Sequence, residues 1–509
     1  MKEAIKFFLS DPCRIPRAKS FDLLRFRGDQ RMNENAGKVS LSWVDRFQDW
    51  LSIEGSASTR FLVSGALWGL VGTTLGLLAA VEYWAPDLVR GVAQLSFGRI
   101  RPTHINVVAF GFISMATVGA NFFVIPELCR TKLYSEKTAN LLMLAWNAVI
   151  VLGIFALTNG YTEGREYAEL PWWLDIPLFM ALLLYIVIIW GTVLNRQEKQ
   201  LYVTVWYVAG TTLWFPVVYL IGNKIFFSVT GIGDSIANWF YGHNILGLWF
   251  TTNGIGLTYY FLPKITKNPL YSHLLSIVGF STIAMFYTPT GTHHLLQSPV
   301  PEWLKAVAVI SSVMLLIPVM SVLVNFFLTM KGKWNMVATN IPLRFFITAM
   351  WFYLLTCFTG PFQATRWINW YLHFTHWVVG HAHFALLGTF GFVAWGAIYY
   401  VLPRVSGKQW YSRRLATAHY WLTLTGVIIM ISALTVAGLY QAAAWEEGQA
   451  VYRAGAYVLS PFMAARAFSG LLIVVGQILL FFNMYKTLFG QEGSLDESTE
   501  PDVPIGGKA

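Results

Sequence analysis

The chain is 509 residues long, 55% hydrophobic and 12% charged, with a mean hydropathy of +0.51, which excludes an ordinary soluble domain and indicates a polytopic protein of the lipid bilayer. Its net charge of +10 does not indicate a nucleic-acid partner, because Lys and Arg are spread over short loops and the first 60 residues instead of gathering on one soluble face. Three cysteines, Cys13, Cys129 and Cys357, show no paired spacing and no C-x-x-C-H, which excludes a disulfide framework and a covalently attached c-type haem.

In chain order, residues 1–58 form a basic N-terminal segment expected in the cytoplasm, in which Trp43 to Ile53 has the pattern of a short amphipathic helix on the membrane surface. The first long apolar run begins only near Phe61, so no cleavable signal peptide is read there. Residues 59–488 contain twelve apolar spans: 61–84, 103–127, 137–159, 171–194, 202–227, 236–262, 271–296, 304–330, 342–363, 372–402, 415–440 and 461–486. Residues 489–509 have the acidic, Gly- and Pro-containing composition of a flexible tail. The predicted fold is therefore all-α and integral to the membrane, with twelve transmembrane helices.

Basic residues concentrate in the N-terminal segment, at Arg14, Arg17, Lys19, Arg25, Arg27 and Arg31, and in alternate loops, at Arg130 and Lys132, Arg196 and Lys199, Lys264 and Lys267, Lys331 and Lys333, and Arg404 to Arg414. The positive-inside bias then puts both termini in the cytoplasm, with odd-numbered spans running outward. On that orientation eight of the ten histidines fall in the outer part of the membrane: His104, His243, His293, His294, His373, His376, His381 and His383. His273 and His419 fall on the inner side and read as satisfied interfacial polar residues. Imidazoles at membrane depth are costly without a partner, and their convergence from four helices reads as a metal-cofactor site more than as scattered interhelical hydrogen bonds.

Spacing constrains that site. Successive helical residues are about 100° apart, so His381 and His383 point roughly 200° apart and cannot ligate one planar cofactor. One imidazole on each side of span ten suits two flanking haems, with His104 at matching depth as a second ligand. His293 and His294, adjacent at the end of span seven, can share one ion with His243; such a three-imidazole site suits copper, although zinc fits the ligand types equally. Arg101 lies three residues before His104 at the membrane edge, where it could pair with a haem propionate, and His373 could do likewise; Arg99 reads as an ordinary snorkelling arginine.

Together, Arg-Pro-Thr-His104, Tyr-Gly-His243-Asn, Tyr287 through His293-His294, and Trp377-Val-Val-Gly-His381-Ala-His383 resemble the haem-copper oxidase superfamily, specifically the catalytic subunit of cbb-type (C-family) cytochrome c oxidases. The likeness covers most of residues 95–405. It implies that His104 and His383 are axial ligands of a low-spin haem b, His381 the proximal ligand of a high-spin haem b, and His243, His293 and His294 the ligands of one copper. It implies dioxygen as the substrate, with Tyr287 as the active-site tyrosine, covalently linked to His243. Ser276 and Tyr259 resemble the family's single proton path, and Glu166, with Glu169 in support, its calcium ligand. Membrane-anchored c-type cytochrome subunits, fed by cytochrome c or an equivalent donor, are the implied partners.

The chain departs from that pattern at Thr359 of Thr359-Gly360-Pro361, where the family usually carries glutamate. Two other readings compete. A nitric oxide reductase large subunit would share the haem ligands but carry non-haem iron and an added carboxylate, and no glutamate is near the three histidines in sequence. A secondary transporter would share the span count and the intramembrane polar residues but would leave the histidine convergence unexplained.

Overall fold

The computed structural model describes residues 43–450 and 458–490. The basic stretch before Trp43, Cys13 included, and the acidic tail after Gly490 lie outside the described residues. The first helix, α1 (Trp43–Ser52), carries the amphipathic pattern read from the sequence. It is tied to the bundle by the Asn140 amide, which donates to the Leu51 carbonyl at 2.8 Å, and by the Arg60 guanidinium, 3.5 Å over the Trp50 ring.

Among the described residues ten helices are long and apolar enough to cross a membrane: α2 (Ser56–Trp84), α3 (Phe97–Cys129), α4 (Glu136–Thr158), α5 (Trp172–Leu194), α6 (Val203–Gly222), α9 (Glu302–Thr329), α10 (Ile341–Ala364), α11 (His376–Ser406), α12 (Arg413–Glu446) and α13 (Ser460–Phe489). The other two expected spans are helical but fall outside that count. In α7, where Ile232–Ile245 runs on through Leu246–Thr251 into Thr252–Thr266, buried Asn244, Thr252, Asn253 and Thr258 dilute the apolar character. In α8 (His273–Tyr287) the helix stops well short of the expected residue 296. Pro289 brings no N–H and disfavours helix at Thr288, and the chain tightens into a 3₁₀ segment, Thr290–Leu295. His293 and His294 therefore sit on a 3₁₀ turn and not at the end of a long α-helix.

Helices α3 and α11 are central, with 94% of their apolar windows buried against 39% for α2. Helix α2 packs on α3 and α13, α11 on α10 and α12, and α13 on α12, so the last helix closes onto the first long one. Small residues make the close contacts possible. A Cβ added at Gly65, Gly69, Gly72 or Gly76 of α2 would come within 2.9, 3.1, 2.7 and 2.7 Å of side-chain or backbone atoms of α3. This glycine stripe lets two backbones approach as only small residues allow.

Three helices widen from α to π geometry immediately beyond a histidine: Val107–Ser114 follows His104, Leu246–Thr251 follows His243, and Phe384–Gly391 follows His383. Each wide stretch carries a hydroxyl that donates to the carbonyl five residues back, Ser114 to Ala109, Thr251 to Leu246 and Thr389 to Phe384, at 2.7, 2.8 and 3.1 Å. Such widening is frequent at functional sites because it re-aims the side chains beside it.

Candidate metal centre

Helix α7 contributes His243 and the 3₁₀ turn contributes His293 and His294. One ring nitrogen from each lies within 4.8 Å of the others, and this is the one such cluster of metal-capable side chains among the described residues. The ring centroids stand 4.5 Å apart for His243 and His293, 4.5 Å for His293 and His294, and 5.6 Å for His243 and His294.

Neighbouring hydroxyls decide which nitrogen is offered. The Thr290 hydroxyl donates to the Tyr287 carbonyl at 2.5 Å, so its lone pair accepts from His243 Nδ1 at 2.7 Å. The Ser312 hydroxyl donates to Ala308 at 2.7 Å and accepts from His293 Nδ1 at 2.7 Å. Both Nε2 atoms are left as bare lone pairs, the form a metal needs. His294 is held by stacking, its ring 3.9 Å from that of Trp239 at 9°.

Tyr287 lies beside the cluster, its ring centroid 4.8 Å from that of His243. Gly247 makes the room, since a Cβ there would run into the Tyr287 ring. The donor set is three neutral imidazoles with no carboxylate, which fits a copper ion.

His104, His381 and His383 also have a partner at Nδ1. His104 Nδ1 donates to the Gly72 carbonyl at 2.7 Å and His383 Nδ1 to the Val379 carbonyl at 2.8 Å. His381 Nδ1 stands 2.9 Å from the Thr359 hydroxyl. His381 has His243 and His293 as electrostatic neighbours, whereas His383 has His104, as residues on opposite sides of α11 must. The glycine at 76 fits against His104, where a Cβ would stand 2.7 Å from the ring. These are features of two separate imidazole sites flanking one helix, each with its Nδ1 bonded and its Nε2 left over.

Other expected residues fall as follows. Arg101 pairs with Glu166 at 2.5 Å, so the two polar groups read separately from the sequence meet each other. Glu169 is buried and takes the Asn106 amide at 3.0 Å, while its Oε1 has no hydrogen-bond partner among the described residues. Burial, and then the neighbouring Glu166 carboxylate, push its pKa up to about 7. Arg99 bonds the Thr158 carbonyl at 3.1 Å. His373 stacks on Phe374 at 3.9 Å, and its buried Nδ1 has no partner among the described residues; burial lowers its pKa. His419 is fully buried within the bundle and bonded to Tyr399 at 3.0 Å and Gln477 at 3.2 Å, so its polar atoms are satisfied.

Sequence reasoning missed several participants. Asn325 on α9 joins the two hydroxyl residues, donating to Ser276 Oγ at 3.0 Å and standing 3.5 Å from the Tyr259 hydroxyl. Arg466 on α13 is an electrostatic neighbour of His104, His376 and His383. Trp239, one helical turn before His243, carried a signal in its spacing; Asn325, Arg466 and Ser312 did not, because their helices are remote in sequence.

A bundle of membrane-crossing helices with a three-histidine centre and two flanking imidazole sites defines a polytopic membrane metalloprotein. The family described as cytochrome c and quinol oxidase polypeptide I matches residues 56–472. The chain is 31% identical over 447 residues to the cbb3-type cytochrome c oxidase subunit CcoN1 of Stutzerimonas stutzeri, covering 84% of this chain and 94% of that one. It is 30% identical to a cytochrome c oxidase subunit 1 homolog of Agrobacterium tumefaciens (strain T37), covering 85% and 83%. A solved heme-copper terminal oxidase dimer superposes with a TM-score of 0.71 over 85% of this chain and 84% of the other, at 15% identity, which speaks for the fold. The chain belongs to the haem-copper oxidase subunit I family. It is accordingly a multi-pass membrane oxidoreductase of a family that uses haem and copper, and the transporter reading is set aside.

Proposed function

We propose that this chain is the catalytic subunit of a cbb-type terminal oxidase that reduces dioxygen to water with electrons from c-type cytochromes, coupled to proton uptake and pumping. The observation that carries the reading is the set of three imidazoles within 4.8 Å of one another, with the Tyr287 ring 4.8 Å from His243 and no carboxylate in the set. A reductase centre built on non-haem iron and an added carboxylate is disfavoured by that donor set.

In this reading His243, His293 and His294 hold one copper, His381 a high-spin haem b, and His104 and His383 a low-spin haem b. These groups, when bound, supply electron storage and the redox chemistry on dioxygen. Tyr287 is the proton and hydrogen-atom donor beside the copper ligands, and it is re-supplied through Ser276, Asn325 and Tyr259, all buried. Arg101, Arg466 and His373 are the polar groups available to haem propionates. Glu169, buried with a free oxygen and next to Glu166, has the hard-oxygen chemistry of a calcium site. Twelve spans, both termini in the cytoplasm of a bacterial inner membrane and a site in its outer part agree with the distribution of Lys and Arg. Membrane-anchored c-type cytochrome subunits deliver the electrons.

Metal and haem analysis of the purified complex, paired with oxygen and nitric oxide turnover, tests the assignment. Two haems b and one copper in this subunit are expected, with oxygen consumption lost in Tyr287→Phe. Iron in place of copper, with nitric oxide turnover surviving that substitution, would move the chain to the reductase branch.

A further inference from the structure

Thr359, on α10, presents its hydroxyl 2.9 Å from Nδ1 of His381. The same hydroxyl lies 2.9 Å from the Leu355 carbonyl and 3.1 Å from the Thr356 carbonyl. A hydroxyl has one proton to give, and neither carbonyl can donate. That proton is therefore committed to the helix backbone, and what faces His381 is a lone pair. The imidazole must supply the hydrogen at Nδ1, which leaves Nε2 bare. The next residue, Gly360, reinforces the fit, because a Cβ there would stand 3.4 Å from His381 Cε1. Residues 359 and 360 thus hold the ring edge-on by a hydrogen bond and a close backbone contact.

The acceptor is neutral. Of the five imidazoles read as metal or haem ligands that have an Nδ1 bond, His104 and His383 donate to carbonyls and His243, His293 and His381 to hydroxyls. No carboxylate is among the acceptors. A charged acceptor draws the Nδ1 proton, gives the ring imidazolate character and raises its basicity toward a metal, whereas a hydroxyl that is already donating draws it weakly.

We propose that Thr359 is a positioning residue for His381, fixing its tautomer and keeping it a neutral ligand of moderate basicity, so that it sets the strength of the iron–histidine bond and the reduction potential of the high-spin haem. The proposal rests on the reading of His381 as the ligand of that haem. A neutral ligand favours the ferrous state more than an imidazolate-like one does, so the potential rises as the acceptor weakens.

The test uses the whole purified complex carrying Thr359→Ser, Thr359→Val or Thr359→Glu, with the iron–histidine stretching band of the ferrous haem read by resonance Raman and the potential read by redox titration. Thr359→Ser is expected to superimpose on the parent. Thr359→Val should lower the band frequency and raise the potential, and Thr359→Glu should do the opposite. If Thr359→Glu fails to assemble, the valine and serine variants alone decide, since they differ in the hydroxyl. Unchanged band and potential in Thr359→Val, with haem content intact, would overturn the proposal. Absence of any iron–histidine band in the parent protein would instead remove the haem assignment at His381, and the proposal with it.

Discussion

Gly76 packs closely against His104, a proposed haem ligand, and Gly76→Ala is the perturbation that probes the contact. The added Cβ would stand 2.7 Å from His104 Cε1 and 3.0 Å from Nδ1. Carbon atoms pack best at about 3.5–4.0 Å, so the ring must retreat by roughly 1 Å or the helices must part. Overpacking of this kind costs about 1–3 kcal/mol of stability. Its larger effect falls on function. His104 is anchored at Nδ1 to Gly72, one turn away on the same helix as residue 76, so a ring displaced from residue 76 loses that bond or its aim. A misplacement of roughly 1 Å is enough to cost about 10²-fold where geometry is exacting. The assay is the reduced-minus-oxidised spectrum of the low-spin haem proposed at His104 and His383, followed by turnover with the proposed c-type cytochrome donor. The low-spin signal should fall while copper and high-spin haem are retained. Gly69→Ala is the control, because its Cβ would meet Phe112 at 3.1 Å on the same face without touching His104. A Gly76→Ala protein with an unaltered low-spin spectrum and full turnover would refute the placement of His104 against α2.

Other consequences follow from single contacts. Ser312→Ala removes the acceptor of His293 Nδ1, and partners of this kind are typically worth about 10–100-fold in metal affinity; copper retention during dialysis against a chelator reads the loss, and unchanged retention would mean that Ser312 only packs. Asn325→Leu breaks the contact between Ser276 and Tyr259 while keeping the volume, so proton uptake in reconstituted vesicles should slow with haem and copper content preserved. Glu169→Gln should abolish any stabilisation of the complex by added calcium, measured as the shift in thermal unfolding midpoint. A calcium-dependent shift that persists in that variant would dissociate Glu169 from cation binding.

Ten of the twelve expected spans were legible because bilayer hydropathy is a local property of a stretch of about twenty residues. The histidines were legible for the same reason, as polar residues out of place in apolar runs, and the opposite faces of His381 and His383 followed from helical periodicity alone. The continuous seventh span was an exception. There the sequence reads as one apolar run, but Pro289 ends the α-helix and Gly291 lets the 3₁₀ turn press against the Trp239 carbonyl.

Which nitrogen His104, His243, His293 and His381 offer could not be read from their own segments, whereas His383 Nδ1 bonds the Val379 carbonyl one turn back on its own helix. The acceptor of His104 comes from Gly72, 32 residues earlier, and that of His381 from Thr359, 22 residues earlier. Arg101 and Glu166 meet across 65 residues, and His419, interfacial by its place in the span, is buried by neighbours on α11 and α13. Sequence alone thus determined the membrane class and ten of the expected spans and singled out the histidines, since each depends on composition or on a period within one helix. Apart from His383, whose partner Val379 is on its own helix, tautomer and the pairing of charges were decided only by the tertiary structure, because each depends on a partner that a distant stretch of the chain brings within about 3 Å.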